Sequence, residues 1–292
     1  MKKANSKNYY KESSQFASIA KRFAKNKLAV VGMAVFLLLA LMMIFADVLV
    51  PYEVSLEQDL YNKLQPPSVE HIFGTDEMGR DVLARIIHGS RRSISIGLIV
   101  TLVAAVVGVI LGAISGYYGG AIDNIIMRLG DILMSIPYML FCITVIACLG
   151  LGMQSLIIAM CIAIMPGYAR IVRASVLSLK GVEYVEAAVA TGCSTARILA
   201  RHIIPNVIGP IIVKATVGTA SVILGAASLS FIGLGIQPPT PEWGTMMSTA
   251  RTYMRAAPYL IVIPGIFIML TTLSLNLMGD GLRDALDPRL KN

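Results

Sequence analysis

Long charge-free apolar runs alternate with short polar connectors along this chain, and the run lengths decide the fold class. The first run, residues 28–50, is interrupted only by Asp47. A helix needs about 20 apolar residues to cross a hydrocarbon core, so the run predicts a membrane span. A signal peptide has only about 7–15 apolar residues before a small-residue cleavage site; this run is longer and ends in DVLVPYE, so it is read as uncleaved. A hydrophilic stretch, 51–93, follows and contains QPPS. Residues 94–122 then carry no charge, and Asp123, Arg128 and Asp131 form a short polar break. The next charge-free run, 132–169, has 38 residues, too many for one ordinary span, with CLGLGMQS in its middle. It predicts two spans joined near 150–154, the second continuing as helix through RIVRASVLSLK. Residues 207–236 carry only Lys214, and 258–279 supply the last run. Pro137, Pro210 and Pro264 are expected to kink spans, which membrane helices tolerate where neighbours cover the freed carbonyls. The expectation is an all-α membrane protein with six transmembrane helices.

Composition agrees. The 292 residues are 56% hydrophobic and 14% charged, and mean hydropathy is +0.72, against about 25% charged residues in soluble domains. A net charge of +8 on a soluble chain would suggest nucleic acid; here the placement of charge matters more than its sum, because Lys and Arg collect in cytoplasmic loops. The N-terminal segment holds Lys2, Lys3, Lys7, Lys11, Lys21, Arg22, Lys25 and Lys27, and the 170–206 segment holds Arg170, Arg173, Lys180, Arg197 and Arg201. Both are therefore assigned to the cytoplasm, together with the C-terminal tail. The organisation reads as a cytoplasmic N-terminal segment 1–27, a first span 28–50, an extracytoplasmic loop 51–93, a five-helix core 94–281 with a cytoplasmic loop at 181–206, and a tail 282–292. Arg80, Arg85, Arg91 and Arg92 fall in the outer loop against the rule, beside Glu53, Glu57, Asp59, Glu70, Asp76, Glu77 and Asp81.

Two patterns point to packing. Gly108, Gly112 and Gly116 recur every four residues, which puts them on one helix face where another helix can approach closely. Gly209, Gly218, Ala220, Ser221, Gly225, Ala226, Ala227 and Ser228 suggest the same for a later span. Cys142, Cys148, Cys161 and Cys193 have no metal-ligand spacing and read as small buried hydrophobes rather than a disulfide framework. Met153, Met246 and Met247 read as ordinary apolar packing.

One insert does not suit a membrane: EAAVATGCSTARILARHIIP, residues 186–205. Good helix formers lead to Gly192, where a helix stops in a left-handed turn. Ser194 follows as a candidate N-cap, and Pro205 is expected to end the second helix. Two short amphipathic helices result, and helices this short are marginal in water unless they dock. They rest either on the bilayer surface or in a cytoplasmic partner.

At this point the residues carry a resemblance. Glu186, Ala187, Ala188, Gly192, Ile204 and Pro205 resemble the EAA loop of the membrane subunits of ABC importers, with His202 standing where the family has Ile and Ile204 where it has Leu. FGTDEMGRDVLARIIHGSRRSISIG (73–97), GYYGGAIDNIIMRLGDILMSIP, SLSFIGLGIQPPTPEWG (228–244) and GDGLRDALDPRLK (279–291) are similar to segments of permeases in the peptide/nickel importer family, and most like the C-type of its two different membrane subunits. The resemblance implies a type I ABC importer permease fold and one half of a heterodimeric pore in a bacterial or archaeal plasma membrane. It implies three kinds of partner besides the lipid bilayer: a second, B-type permease, one or two cytoplasmic ATPases and an extracytoplasmic binding protein; no nucleic acid is implied. The ATPases would grip Glu186, Ala187, Ala188, Gly192, Ser194, Arg197 and Pro205. Peptides are the implied cargo, with nickel or a metal–metallophore complex as the alternative.

The residues fit that division of labour. No GxxxxGK[ST] loop is present, nor any Gly-Lys pair, so the phosphate cradle of an ATPase is missing; ATP and magnesium are expected in partner subunits and no cofactor in this chain. No catalytic set, metal set or substrate-binding set stands out. An ion-coupled transporter or a membrane-embedded enzyme would place ionisable groups within its spans, whereas Lys214 and Asp47 lie near span ends. The charged segment HIFGTDEMGRD, able in principle to touch substrate or binding protein, is read as a brace.

Overall fold

The computed structural model describes residues 15–286; the outer ends of both predicted cytoplasmic tails lie outside the described residues. In chain order the helices are α1 (Gln15–Phe23), α2 (Lys27–Ile44), α3 (Ala46–Leu49), α4 (Val82–Tyr118), α5 (Gly120–Ser135), α6 (Tyr138–Leu149), α7 (Met153–Lys180), α8 (Glu183–Ala190), α9 (Thr195–Ile198), α10 (Ile204–Phe231), α11 (Trp243–Ala250) and α12 (Tyr259–Leu286). Five helical runs are long and apolar enough to cross a membrane: α2, α4, α7, the run Thr195–Phe231 and α12. The pair α5 and α6, bent by 94°, makes a sixth crossing if counted as one broken span.

Three boundaries depart from the sequence expectation. Helix α4 begins at Val82, not at residue 94, because Asp81 caps it, accepting from the Ala84 amide at 2.8 Å. Its first turns carry Arg85, His88, Ser90 and Ser93, which are polar yet buried; hydropathy alone mistakes them for loop. The expected polar break at Asp123–Asp131 is helical, inside α5. The real break is at Ser135–Tyr138, where Pro137 has no N–H to give and pushes Ile136 into extended geometry (φ −87°, ψ 130°). Finally, α12 continues to Leu286, so the tail assigned from residue 282 starts as helix. Helix α7 does run on to Lys180, as the sequence suggested.

The central contact is between α4 and α7. Gly108, Gly112 and Gly116 are buried on α4. A Cβ built on Gly112 would overlap the Ala169 carbonyl oxygen, one on Gly116 would lie 2.9 Å from Val176 Cβ, and one on Gly108 2.5 Å from Tyr168 Cβ. Lipid is as apolar as a leucine side chain, so helices in it are held by such close packing rather than by hydrophobic drive. Above this contact Ile96, Val100, Ile146, Leu156, Met160 and Leu229 fill a core shared by α4, α6, α7 and α10. Cys142 is buried there, and all four cysteines are free. Helix α2 leans on α12, where Gly32 admits Leu277 and Ser274.

The end of the bundle from which α4 starts is closed by a polar plug. Trp243 is fully buried, its indole Nε1 donating to the Ile86 carbonyl at 3.0 Å and its ring lying over Gly89. The neighbouring Glu242 is 1% exposed and has four donors: Ser93 Oγ at 3.1 Å, the Gly244 and Thr245 amides at 2.9 and 2.8 Å, and Thr245 Oγ1 at 3.0 Å. Asp76 accepts from Arg80 Nε at 2.7 Å and faces Arg85 Nε at 3.3 Å, while Arg85 Nη1 also donates to the carbonyls of Ser55 and Pro239. The charged segment is thus a brace in the structure. It also accounts for three of the four exceptions to the charge rule: Arg80 and Arg85 are buried in ion pairs, and Arg91 pairs with Asp47 at 2.7 Å, while Arg92 is exposed.

The glycine contact predicts opposite outcomes for one substitution at two sites. Gly112→Ala should destabilise the purified protein by about 1–3 kcal/mol, the usual cost of overpacking. Gly167→Ala, where a Cβ meets nothing within 4 Å, should be neutral or stabilise by up to about 1 kcal/mol, the usual gain over glycine in a helix. Thermal unfolding in detergent measures both; equal midpoints would remove the packing argument.

Candidate coupling site

The C-terminal end of α7 sets the site. Lys180 donates to the Tyr117 carbonyl at 2.6 Å and lies 5.5 Å from the Tyr117 ring centroid, so the exits of α4 and α7 are tied together. Arg173 makes a two-pronged pair with Asp123, which also accepts from Ser115, and Arg170 pairs with Asp131 at 2.7 Å. These two pairs fasten α7 to α5.

From Gly181 the chain turns into α8. Glu183 and Glu186 lie in its first turn, where negative charge suits the helix dipole. Val185 and Ala188, three residues apart, face inward onto Val172, Val176, Ile198, Ile203 and Val207. Glu186 and Ala187 face outward. Helix α8 ends as a Schellman turn: Gly192 adopts φ +78°, its amide donates to Val189 O at 2.9 Å, and the Cys193 amide donates to Ala188 O at 3.1 Å. Only glycine enters that backbone region without strain, and the space around Gly192 is open. The Thr191 hydroxyl takes up the Ala187 and Ala188 carbonyls at 3.0 Å each.

Three residues behave differently from the sequence expectation. Ala188 is buried, so it holds α8 to the body instead of offering a small surface to a partner. Ser194 occupies the cap position of α9 in extended geometry, and its backbone carbonyl accepts from Ile198, but its side chain makes no capping bond. Pro205 does not end the second helix; it sits in the first turn of α10. The preceding π turn, Leu199–Ile203, in which the Ile204 amide reaches back to Leu199 O, widens the coil just where a proline ring would otherwise strike the carbonyl four residues earlier. Arg197 is exposed, as a docking cation needs to be.

Tyr184 and Asn206 were missed. Asn206 Nδ2 donates to the His202 carbonyl at 2.8 Å and lies 3.3 Å from the Tyr184 hydroxyl, which is itself 3.3 Å from the same carbonyl. This clasp joins α8 to the foot of α10. The three-residue spacing of Val185 and Ala188 was the available sign that α8 has an inner face; reading Glu-Ala-Ala as a motif hid it. The unit is therefore a small, rigid knuckle that shows Glu186, Ala187, Gly192, Ser194 and Arg197 to solvent. It is built onto three spans at once and holds no arrangement for bond chemistry.

Comparison with known proteins identifies the family of the chain. A family model described as binding-protein-dependent transport system inner membrane component matches residues 108–292. Another, the N-terminal TM domain of oligopeptide transport permease C, matches residues 14–67. The chain is 43% identical over 283 residues to the dipeptide transport system permease protein DppC of Alkalihalophilus pseudofirmus, covering 97% of this chain and 93% of the relative. It is 43% identical to the di/tripeptide permease DppC of Pseudomonas aeruginosa, covering 92% and 91%. Identity is also 43% to the glutathione transport system permease protein GsiD of Escherichia coli O157:H7, covering 93% and 89%. Among solved structures, an inward-facing MetNI methionine ABC transporter chain matches with TM-score 0.55 at 16% identity, covering 70% of this chain and 98% of that one; that likeness concerns the fold.

Gly192→Pro fixes φ near −65° against the observed +78° and deletes the amide bond to Val189. The knuckle should loosen by more than about 1.4 kcal/mol, so amide hydrogen exchange across 183–198 rises at least about tenfold. Exchange in α4 and the membrane part of α7 should stay unchanged; an unaltered knuckle would contradict the Schellman assignment.

Proposed function

This chain belongs to the family of binding-protein-dependent transport system inner membrane components, and we propose that it serves as the C-type half of a heterodimeric permease importing short peptides. The observation that carries this reading is the 43% identity to a dipeptide permease over 97% of the chain, which takes in the knuckle, the glycine contact and the outer plug together. The glutathione permease among the relatives falls in the same substrate class, a small peptide bearing free carboxylates.

In this reading a cytoplasmic ATPase grips the exposed side of α8 and α9. ATP and magnesium are bound there and not in this chain. Closure of the ATPases pushes the knuckle; Val185 and Ala188 pass the push to α7, and the Tyr184–Asn206 clasp passes it to α10. Both spans then tilt with α5, which is fastened to α7 by two ion pairs. The plug at the outer end moves as one body with the start of α4, where the binding protein releases its peptide. The N-terminus, the knuckle and the C-terminal tail face the cytoplasm, and residues 51–81 face outward.

Three experiments test this. The chain, reconstituted in vesicles with its B-type partner, the ATPases and the cognate binding protein, should import a radiolabelled dipeptide only with ATP, and the chain alone should hydrolyse none. Glu186→Lys should weaken ATPase pull-down by at least about tenfold, since like-charge contacts at an interface cost several kcal/mol, while membrane levels stay normal. Full association of this variant would mean that the knuckle merely lies on the bilayer. For topology, Ser194→Cys and Val69→Cys are compared in a cysteine-free background with an impermeant thiol reagent outside intact cells. Val69, fully exposed at 102%, should label and Ser194 should not; labelling at 194 would invert the arrangement.

A further inference from the structure

Lys214 is the one charged residue in the apolar run 207–236. A lysine within an apolar run is uncommon and persists where it lines a watery cavity or serves a function. Here it lines a cavity of about 380 Å³ between the α5–α6 break, α7 and α10, within the roughly 300–1,000 Å³ of small-ligand pockets. No acidic side chain pairs with it among the described residues. At 3.6 residues per turn, Lys214, Gly218, Ser221, Gly225 and Ser228 share one face of α10, while the exposed Ile208 and Ile212 lie on another. The charged and small residues thus face away from the side suited to lipid.

The opposite wall differs in charge. Met134 and Tyr138, which flank the helix break, both line the cavity. Helix α5 stops at Ser135, Ile136 is extended and Pro137 has no amide hydrogen, so the last carbonyls of α5 receive no continuing helical donors, and of them the Ile132 carbonyl accepts from Ser135 Oγ at 2.7 Å. A helix C-terminus carries roughly half a negative charge. The Tyr138 hydroxyl is buried toward Gly225 on α10, so the tyrosine ring closes this end of the cavity. A cation on one side and a helix C-terminus on the other complement a zwitterion.

We propose that this cavity is a transit site for the peptide, in which Lys214 receives the terminal carboxylate and the C-terminal end of α5 faces the ammonium group. The proposal rests on the peptide reading above and adds a recognition step inside the membrane, separate from the binding protein. The test uses the complete reconstituted importer with its binding protein saturated with radiolabelled alanyl-alanine. Lys214→Gln should slow import about tenfold, the effect of losing roughly one charge-assisted contact, while stimulated ATP hydrolysis stays within about twofold of wild type. Lys214→Arg, which keeps the charge, should import within about threefold of wild type. The proposal fails if Lys214→Gln imports within about twofold, or if Lys214→Arg is as slow as Lys214→Gln, because shape rather than charge would then matter. Joint loss of import and hydrolysis would also overturn it, by assigning Lys214 to coupling. A wild-type importer that hydrolyses ATP but moves no alanyl-alanine overturns the peptide reading and this proposal together. Wild-type import with an unaffected Lys214→Gln leaves the peptide reading standing and removes only the site.

Discussion

The close approach of α4 to α7 is the contact on which the other arrangements depend. Because Gly108, Gly112 and Gly116 carry no side chains, the backbone of α7 lies directly on α4 from Tyr168 to Val176. That depth of contact brings Asp123 on α5 within reach of Arg173 and lets Lys180 reach Tyr117. It also holds Val172 and Val176 where Val185 and Ala188 can pack on them. The knuckle is thus located by a contact wholly inside the membrane, which explains how so short a helix as α8 keeps a fixed place.

The outer end obeys a different rule. Buried charge is tolerated only when paired and hydrogen-bonded. Asp76, Arg80, Arg85 and Glu242 meet that condition through side chains and carbonyls drawn from four distant parts of the chain. Such a knot is rigid because removing any partner strands a charge. The charged knot and the 94° break at Pro137 thus belong to different parts of the bundle, one held by paired charge and the other lacking continuous helical bonding.

The number of spans and the packing glycines were legible from run length and spacing, because lipid imposes a length and close contact demands small residues. The knuckle was legible from Gly192. Boundaries were not: residues 82–93 look hydrophilic, and only tertiary partners such as Val50, Ser55 and Glu242 make them interior. Asp123 and Asp131 looked like a loop because their arginine partners lie on another helix, about 40–50 residues away in sequence. Pro205 misled for a local reason, since the π turn before it absorbs the steric conflict that normally ends a helix there. Ala188 misled because a motif letter says nothing about which way a side chain points.

The plug also constrains how the molecule is made. Trp243 and Glu242 are joined to Ile86 and Ser93 across about 150 positions, yet synthesis proceeds from the N-terminus. Until α11 has been threaded outward, the Ile86 carbonyl and the Ser93 hydroxyl have no indole or carboxylate to meet, and the space filled by the tryptophan stands open. The nascent chain therefore passes through a period with four spans inserted and its outer face unfinished. Delivery of the 237–258 segment closes it, by seating that one aromatic side chain against Ile86.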